Sequence, residues 1–283
     1  MDSIIRARKA ILQADMVLIG ASNGLSIAQG IHIFADNQDF NDYFSDFKNN
    51  NAIKSIIQGC FHQFSKEEQK WAFYSKMYHY FTVDRKPTQV MQQLLSLVKD
   101  KPYFVVTSNI DSQFINSGFD PHAIFEIEGN CRFMQCETAC HDTLYDAEQK
   151  LLAFYAKQEN GSIPTKLVPK CPKCGGNMKL NIEVDSHFVK GAIWQENNQK
   201  YRTFLAQAKN KQKKIVLLEL GVGLRNVLIK QPFMNFTYYN SNVCYITFNK
   251  GEIYVPIEID SQSITLDGDI GQSLSEIIGL NGS

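Results

Sequence analysis

Four short apolar runs, each closed by a glycine or a polar turn, dictate the architecture. Met16-Val17-Leu18-Ile19 stops at Gly20, and Tyr103-Phe104-Val105-Val106-Thr107 runs into Ser108. Ile215-Val216-Leu217-Leu218-Glu219-Leu220 stops at Gly221, and Val243-Cys244-Tyr245-Ile246-Thr247-Phe248 stops at Asn249. Uninterrupted apolar runs of this length fit strands buried on both faces, the habit of a parallel sheet. Each run is followed by enough chain for a helix before the next begins. The expectation is an α/β chain with a Rossmann-like doubly wound parallel sheet. Helical spacing of Ile5, Ala7, Ala10, Ile11 and Ala14 places a helix ahead of the first strand.

Two segments break this rhythm. Residues 36–101 are polar and aromatic, with helical periodicity in Lys66–Phe81 and Thr88–Val98, and read as an inserted helical module. At that spacing Trp71, Tyr74, Tyr78 and Tyr80 are read as core rather than as a partner groove. Residues 131–188 hold most of the cysteines and read as a small zinc-ribbon domain. The Rossmann-like domain is then 1–35 plus 102–130 plus 189–283.

Charge excludes one class of partner. Twenty-nine basic residues balance twenty-nine acidic ones, which argues against a protein built to neutralise nucleic-acid phosphates. The basic run Ala208–Lys214 reads as a solvated surface. No stretch approaches the ~20 apolar residues of a membrane span, and Met16–Gly20 is too short for a signal peptide. The expected location is the cytoplasm, where cysteines are reduced thiols or metal ligands.

Cys136 and Cys140 form a CxxxC pair, and Cys171 and Cys174 form a CxxC pair within Cys-Pro-Lys-Cys-Gly-Gly. Two such pairs match a zinc ribbon, and four thiolates close the tetrahedron with no open position, so the ion is structural. A redox CxxC is the competing reading, weakened by the second pair. Cys60 and Cys244 read as core thiols, Cys131 lies near the cluster but outside the paired spacing, and His141 beside Cys140 reads as a surface histidine, with a substitute ligand as the alternative.

The turns after the strands carry the ligand signal. Gly20-Ala21-Ser22-Asn23-Gly24-Leu25-Ser26 places small residues where backbone amides can approach a pyrophosphate. A tight turn without a ligand would look the same, and the pattern is not the G-x-G-x-x-G of dehydrogenases. Thr107-Ser108-Asn109-Ile110-Asp111, Gly221-Val222-Gly223 and Asn249 supply three more small or polar turns at strand ends. Ligands of α/β sheets bind at such ends. Helix capping alone accounts poorly for four of them.

Together these residues resemble the sirtuin (Sir2) family. The likeness lies in Gly20-Ala21 with Ser26 and Gly30-Ile31, and in Thr107, Asn109, Ile110 and Asp111, with Ser108 where glutamine is usual. It extends to the paired cysteines, to Gly221-Val222-Gly223 in place of a Gly-Thr-Ser turn, to Asn249, and to Gly268-Asp269 near the adenine end. The order is right over essentially the whole chain. The resemblance implies NAD as cofactor and Zn²⁺ as structural metal. It implies cofactor-binding roles for Gly20, Ala21, Ser22, Gly24, Ser26, Ser108, Asn109, Asp111, Gly221, Val222, Gly223, Asn249 and Asp269.

Two departures redirect the activity. Sirtuin deacylases carry His-Gly ahead of the zinc module, but here the stretch is Phe125-Glu126-Ile127-Glu128-Gly129, with Glu128 in the histidine position. The usual Pro-x-Phe-Arg is replaced by His32-Ile33-Phe34-Ala35. The first loop and the Leu218–Gly223 turn resemble the macrodomain-linked class M sirtuins, which also lack the histidine. That subgroup implies protein ADP-ribosylation, with a lipoylated glycine-cleavage-type carrier protein as acceptor.

The resulting expectation is an NAD-dependent protein ADP-ribosyltransferase with Asn109, Asp111 and Glu128 as catalytic residues. Asn109 orients the ribose and Asp111 the nicotinamide amide. Glu128 either stabilises the forming cation or takes a proton from the acceptor. A carboxylate (pKa ~4.3) needs desolvation to match imidazole (~6.5) as a base. Its standing charge suits a cation-like transition state, which favours ADP-ribosyl transfer over deacylation. The alternatives are an NAD-dependent deacylase, an NAD hydrolase, and an inactive NAD or ADP-ribose-binding module.

Overall fold

The computed structural model describes residues 2–210, 212–251 and 253–279. The limits set above at 1 and 283, and Lys211 in the basic run, lie outside these residues.

Among the described residues nine strands form two sheets: β1 Met16–Ala21, β2 Tyr103–Thr107, β3 Ile124–Glu126, β4 Gly129–Cys136, β5 Tyr145–Asp146, β6 Met178–Ile182, β7 Ile215–Leu220, β8 Val243–Asn249 and β9 Ser263–Asp267. The larger sheet has the order β3-β2-β1-β7-β8-β9, and every neighbouring pair is parallel. Taken as its own six strands, this is the 3-2-1-4-5-6 order of a doubly wound fold. The order reverses between β1 and β7, which run side by side from Met16–Ile215 to Ala21–Leu220. A crevice opens beyond the strand ends at such a reversal.

Both β1 and β7 are buried at every position, as their unbroken apolar composition requires. Side chains alternate between the faces. Val17 and Ile19 meet Ala7 and Ile11 of the first helix, and Leu274 and Ile277 of the last. Met16 and Leu18 face the other way, towards Phe204 and Phe233. Each fully buried aliphatic or aromatic side chain adds about 1.5–3 kcal/mol to folding, so the frame that fixes the crevice is stiff.

The smaller sheet has the order β5-β4-β6 and is antiparallel. It shares a single core with helices Gln38–Asn51, Ile56–Cys60 and Glu67–Tyr78. Trp71 and Phe154 meet edge to face at 5.8 Å inside that core. Trp71, Tyr74, Tyr78 and Tyr80 are all buried, as their helical spacing implied. Helix Gln89–Val98 lies elsewhere: its Met91, Leu94 and Val98 pack into the core of the six-stranded sheet. Among the described residues no helix is long and apolar enough to cross a membrane.

Candidate functional site

The β1 turn and the β2 turn meet across the crevice. Thr107 Oγ1 donates to the Ala21 carbonyl at 3.0 Å, and the Ser108 amide donates to the same oxygen at 3.2 Å. Ser108 Oγ donates to Ser22 Oγ at 2.9 Å. Asn109 Nδ2 donates to the Ser22 carbonyl at 3.1 Å. Ser26 Oγ donates to Asp111 Oδ2 at 2.5 Å, and the Gln113 amide donates to Asp111 Oδ1 at 3.1 Å. Burial pushes the Asp111 carboxyl above its ordinary range, and these donors oppose that shift. Ser112, next in the chain, is held at φ +58°, a costly conformation for a residue other than glycine.

The β7 turn closes the third side. Gly221 adopts φ +62°, and its carbonyl accepts from the Gly24 amide at 3.0 Å. A Cβ on Gly24 would sit 2.5 Å from the Gly221 Cα. These glycines let two backbones touch, and the Gly24 amide is already spent on that contact. Asn226 adds a donor that the sequence reading missed, with Nδ2 3.4 Å from Ser22 Oγ and 3.3 Å from Ser108 Oγ. It sits within the turn Leu224-Arg225-Asn226-Val227-Leu228, a signal too weak to notice in the sequence. Asn249 Nδ2 donates to the Val222 carbonyl at 3.4 Å, tying β8 to the same turn.

Two of the expected cofactor residues lie apart. A Cβ on Gly20 would strike Ile229 and Phe233, so this glycine makes room for helix Lys230–Tyr239. Asp269 is exposed beyond β9, and its Oδ1 caps the last helix by accepting from the Gln272 amide at 2.8 Å.

The loop from Ser22 to Phe34 is pinned at three points. The Ile31 amide donates to the Ser26 carbonyl at 2.8 Å, Arg85 Nη2 donates to the Gly30 carbonyl at 3.3 Å, and the Ile57 amide donates to the Ile33 carbonyl at 3.0 Å. Between this loop and the small sheet lies a cleft lined by Glu128 together with Asn23, Ser108 and Ile110. Burial, and secondarily the charge of Glu183, push the Glu128 carboxyl up to about 7. Glu183 was not foreseen either. It is an ordinary acidic residue after an apolar strand, and its place depends on the register of β4 with β6.

The residues present fit a dinucleotide. Asn109 is 5% exposed, and its Oδ1 is buried without a hydrogen-bond partner. Leaving an acceptor unpaired costs about 1–3 kcal/mol, which a bound ligand's donor would recover. They also fit zinc. The Sγ atoms of Cys136, Cys140, Cys171 and Cys174 all lie within 4.8 Å of one another, with Cys136–Cys174 and Cys140–Cys171 at 3.7 Å. Zinc–sulfur bonds of about 2.3 Å in a tetrahedron place sulfurs about 3.8 Å apart. Gly175 at φ +71° turns the second knuckle, with its amide on the Cys171 carbonyl at 2.8 Å. His141 departs from the surface role expected of it. Its Nδ1 lies 3.0 Å from Cys140 Sγ and its Nε2 lies 2.9 Å from the Tyr145 hydroxyl, so it supports a ligand from outside the tetrad. Cys60 and Cys131 are buried away from the cluster, and Cys244 is half-buried.

A doubly wound sheet with a polar crevice at its switch point, beside a four-thiolate ribbon, defines a dinucleotide-binding protein with a structural metal. Residues 20–210 match the Sir2 family model, and the chain belongs to that family. It is 30% identical over 265 residues to a protein of Staphylococcus aureus named protein ADP-ribosyltransferase, covering 93% of this chain and 83% of that one. A Fusarium oxysporum f. sp. cubense protein, named as a probable bifunctional ADP-ribose hydrolase/ADP-ribosyltransferase, is 23% identical, and the match spans 47% of its length. The solved structure of Sir2Tm bound to a propionylated peptide superposes with a TM-score of 0.64 at 17% identity, covering 99% of this chain and 98% of that one. This last likeness concerns the fold.

Proposed function

We propose that this chain is an NAD-dependent protein ADP-ribosyltransferase. Bound in the crevice, NAD supplies a nicotinamide–ribose bond whose cleavage builds positive charge on the ribose. The observation that carries the reading is Glu128. A half-buried carboxylate stands in the cleft beside Ser108 and Asn23, where the deacylases of this family place an imidazole. A fixed negative charge close to a developing cation lowers the barrier, and burial strengthens it. With its proton affinity raised to about 7, the same group can accept a proton from an attacking nucleophile near neutral pH.

The remaining roles follow from position. Asn109, fixed through Nδ2, offers its unpaired Oδ1 to the ribose. Asp111, held by Ser26 and Gln113, takes the carboxamide of the nicotinamide. Ser22, Gly24, Ser26 and Ser108, with Gly221, Val222, Gly223 and Asn249, shape the phosphate and ribose walls, while Ala21 offers its carbonyl. Gly20 acts behind them by packing, and Asp269 stands at the adenine end. The acceptor is a protein. Within it we favour a lipoylated carrier of the glycine-cleavage type, on the likeness to macrodomain-linked sirtuins, and we place the reaction in the cytoplasm.

Adenylate-labelled NAD⁺ incubated with lipoylated and unlipoylated carrier protein, and in parallel with an acetyl-lysine peptide, tests the reading. Label should pass to the carrier and be lost in Asn109→Ala. Efficient deacetylation that survives Glu128→Ala, without label transfer, would establish the deacylase instead. NAD⁺ binding with no nicotinamide release would leave a binding module.

A further inference from the structure

The first turn keeps few backbone donors for a phosphate. The Ser22 amide donates to the Leu220 carbonyl at 3.2 Å, the Gly24 amide to the Gly221 carbonyl at 3.0 Å, and the Leu25 amide to the Ser22 carbonyl at 2.9 Å. Across the crevice, Val222 and Gly223 carry no side-chain donor. The polar side chains of three turns meet instead. Asn226 Oδ1 accepts from the Leu228 amide at 3.1 Å and from the Ile229 amide at 3.0 Å. Two N–H donors on one end of the carboxamide identify that end as the oxygen. The NH₂ end therefore points at the serine pair, 3.3 Å from Ser108 Oγ and 3.4 Å from Ser22 Oγ. Ser22 and Ser108 are both buried, with their hydroxyls 2.9 Å apart. One hydroxyl proton is used between them. An NH₂ group accepts nothing, so neither hydroxyl can turn its proton towards Asn226. Among the described residues the second hydroxyl proton thus has no acceptor. Asn109, buried and anchored on the Ser22 carbonyl, is the converse case, since its Oδ1 has no donor. An unused donor and an unused acceptor flank Ser22, and a ligand carrying an anionic oxygen beside a hydroxyl satisfies both.

Resting on the reading that NAD occupies this crevice, and not on which acceptor takes the ADP-ribose, we propose that Asn226 is a positioning residue for the cofactor's pyrophosphate, acting through the hydroxyls of Ser22 and Ser108. By donating to both oxygens it leaves the free hydroxyl proton one direction to take, outwards to a phosphate oxygen. A hydroxyl bonded in such a chain is polarised by its neighbours and becomes a stronger donor. The neighbouring ribose hydroxyl falls to Asn109 Oδ1. The anion is met by neutral donors already held by the β1, β2 and β7 turns, so little side-chain freedom is lost on binding.

The test uses the full chain with ADP-ribose as the probe, titrated by calorimetry, beside thermal melting of the unliganded protein. Asn226→Ala should weaken ADP-ribose binding about tenfold or more, the worth of a hydrogen bond to a charged group. Ser22→Ala combined with Ser108→Ala should weaken it at least as much. Adding Asn226→Ala to that pair should cost no more than about twofold further, because the carboxamide acts through the hydroxyls. Asn226→Asp separates this role from the holding of the turn. Its carboxylate still accepts from the Leu228 and Ile229 amides, so the unliganded melting temperature should match the wild type. Its other oxygen draws the hydroxyl protons away from the ligand, so ADP-ribose should bind more weakly than to Asn226→Ala. An Asn226→Asp protein that keeps both the melting temperature and the affinity of the wild type makes Asn226 a turn-holding residue and overturns the proposal. Losses that add up in the triple variant overturn it as well. A wild type that binds neither ADP-ribose nor NAD⁺ overturns the cofactor reading, and this proposal with it.

Discussion

Ser26 Oγ and Asp111 Oδ2, 85 positions apart in the chain, are joined by a 2.5 Å hydrogen bond across the mouth of the large sheet. Both residues are buried, at 2% and 4% exposure. The bond fixes the first loop relative to the β2 turn and supplies one of the donors that keep a desolvated carboxyl in place. Ser26→Ala leaves Asp111 with the Gln113 amide and a colder environment for its charge. The expected cost is about 1–3 kcal/mol in urea unfolding at neutral pH. Nicotinamide release should fall in the same variant, and an unchanged rate would detach Asp111 from the reaction.

The zinc site makes a separate prediction. Metal analysis of the purified chain should find one zinc per molecule, and Cys171→Ser should lose it. Thiolate ligation links metal binding to folding, so a strong chelator should lower the melting temperature of the wild type and leave Cys171→Ser unmoved. Since Glu128 immediately precedes β4, the strand that carries Cys136, the chelated protein should lose nicotinamide release before the large sheet melts. A wild-type melting curve insensitive to chelation would contradict a structural role for the ion.

Gly24 and Gly221 touch backbone to backbone, so neither neighbour can turn aside. An added Cβ at Gly24 would lie 2.5 Å from Gly221 Cα and 2.8 Å from its carbonyl oxygen. Gly24→Ala must push helix Asn23–Ala28 away from the β7 turn. Overpacking of this kind costs about 1–3 kcal/mol. Because the displaced elements frame the crevice, the thermal stabilisation by NAD⁺ should shrink or vanish. Retention of the full NAD⁺-induced shift would show that the crevice does not hold the cofactor.

How much of this was readable beforehand differs from element to element. The runs at Met16, Tyr103, Ile215 and Val243 announced central strands because both of their faces are apolar. β3 was invisible, since Ile124–Glu126 is too short to show a period. β9 was missed because Ser263–Asp267 has the mixed pattern of an edge strand, with Thr265 and Asp267 exposed. Helix Gln89–Val98 was legible as a helix, but its packing partner was not. Periodicity gives a face and not the surface it meets. The cysteine tetrad was recoverable because ligand spacing is local in the chain. Asn226 and Glu183 were not, because they are made relevant by contacts spanning long sequence separations.

Below the crevice, Lys230 and Glu219 form a buried ion pair, with exposures of 4% and 0%. Thr247 Oγ1 donates to the same carboxylate at 2.8 Å. Glu219 belongs to β7 and Lys230 opens the helix behind it, so the pair fixes that helix against the sheet just beneath the Gly221 turn. Removing one partner strands a charge in the interior, at a cost of about 3–5 kcal/mol. Lys230→Met should lower the urea midpoint accordingly, and Glu219→Gln combined with Lys230→Met should regain part of the loss. A double variant no more stable than Lys230→Met would mean that stranded charge is not the cause.

The raised proton affinity of Glu128 also has a consequence for stability, with a definite sign. Its carboxyl titrates near 4.5 when unfolded and at about 7 when folded. Below 4.5 both states hold the proton, and the residue contributes no penalty. Between 4.5 and 7 the folded state keeps a proton that the unfolded state has released, so stability falls as pH rises through this window. Above 7 the full cost of the ionised, half-buried group is in place. A shift of this size corresponds to roughly 3 kcal/mol at 1.36 kcal/mol per unit, which solvent in the open cleft reduces to about 1–2 kcal/mol. Glu128→Gln keeps the shape and removes the charge. It should therefore stabilise the protein by about 1–2 kcal/mol at pH 8 and by almost nothing at pH 4.5, as measured by urea unfolding at the two pH values. The same substitution should abolish label transfer, the combination expected of a group held at a cost in stability for the sake of its chemistry. An equal effect on stability at both pH values would show that Glu128 does not change its charge within this range.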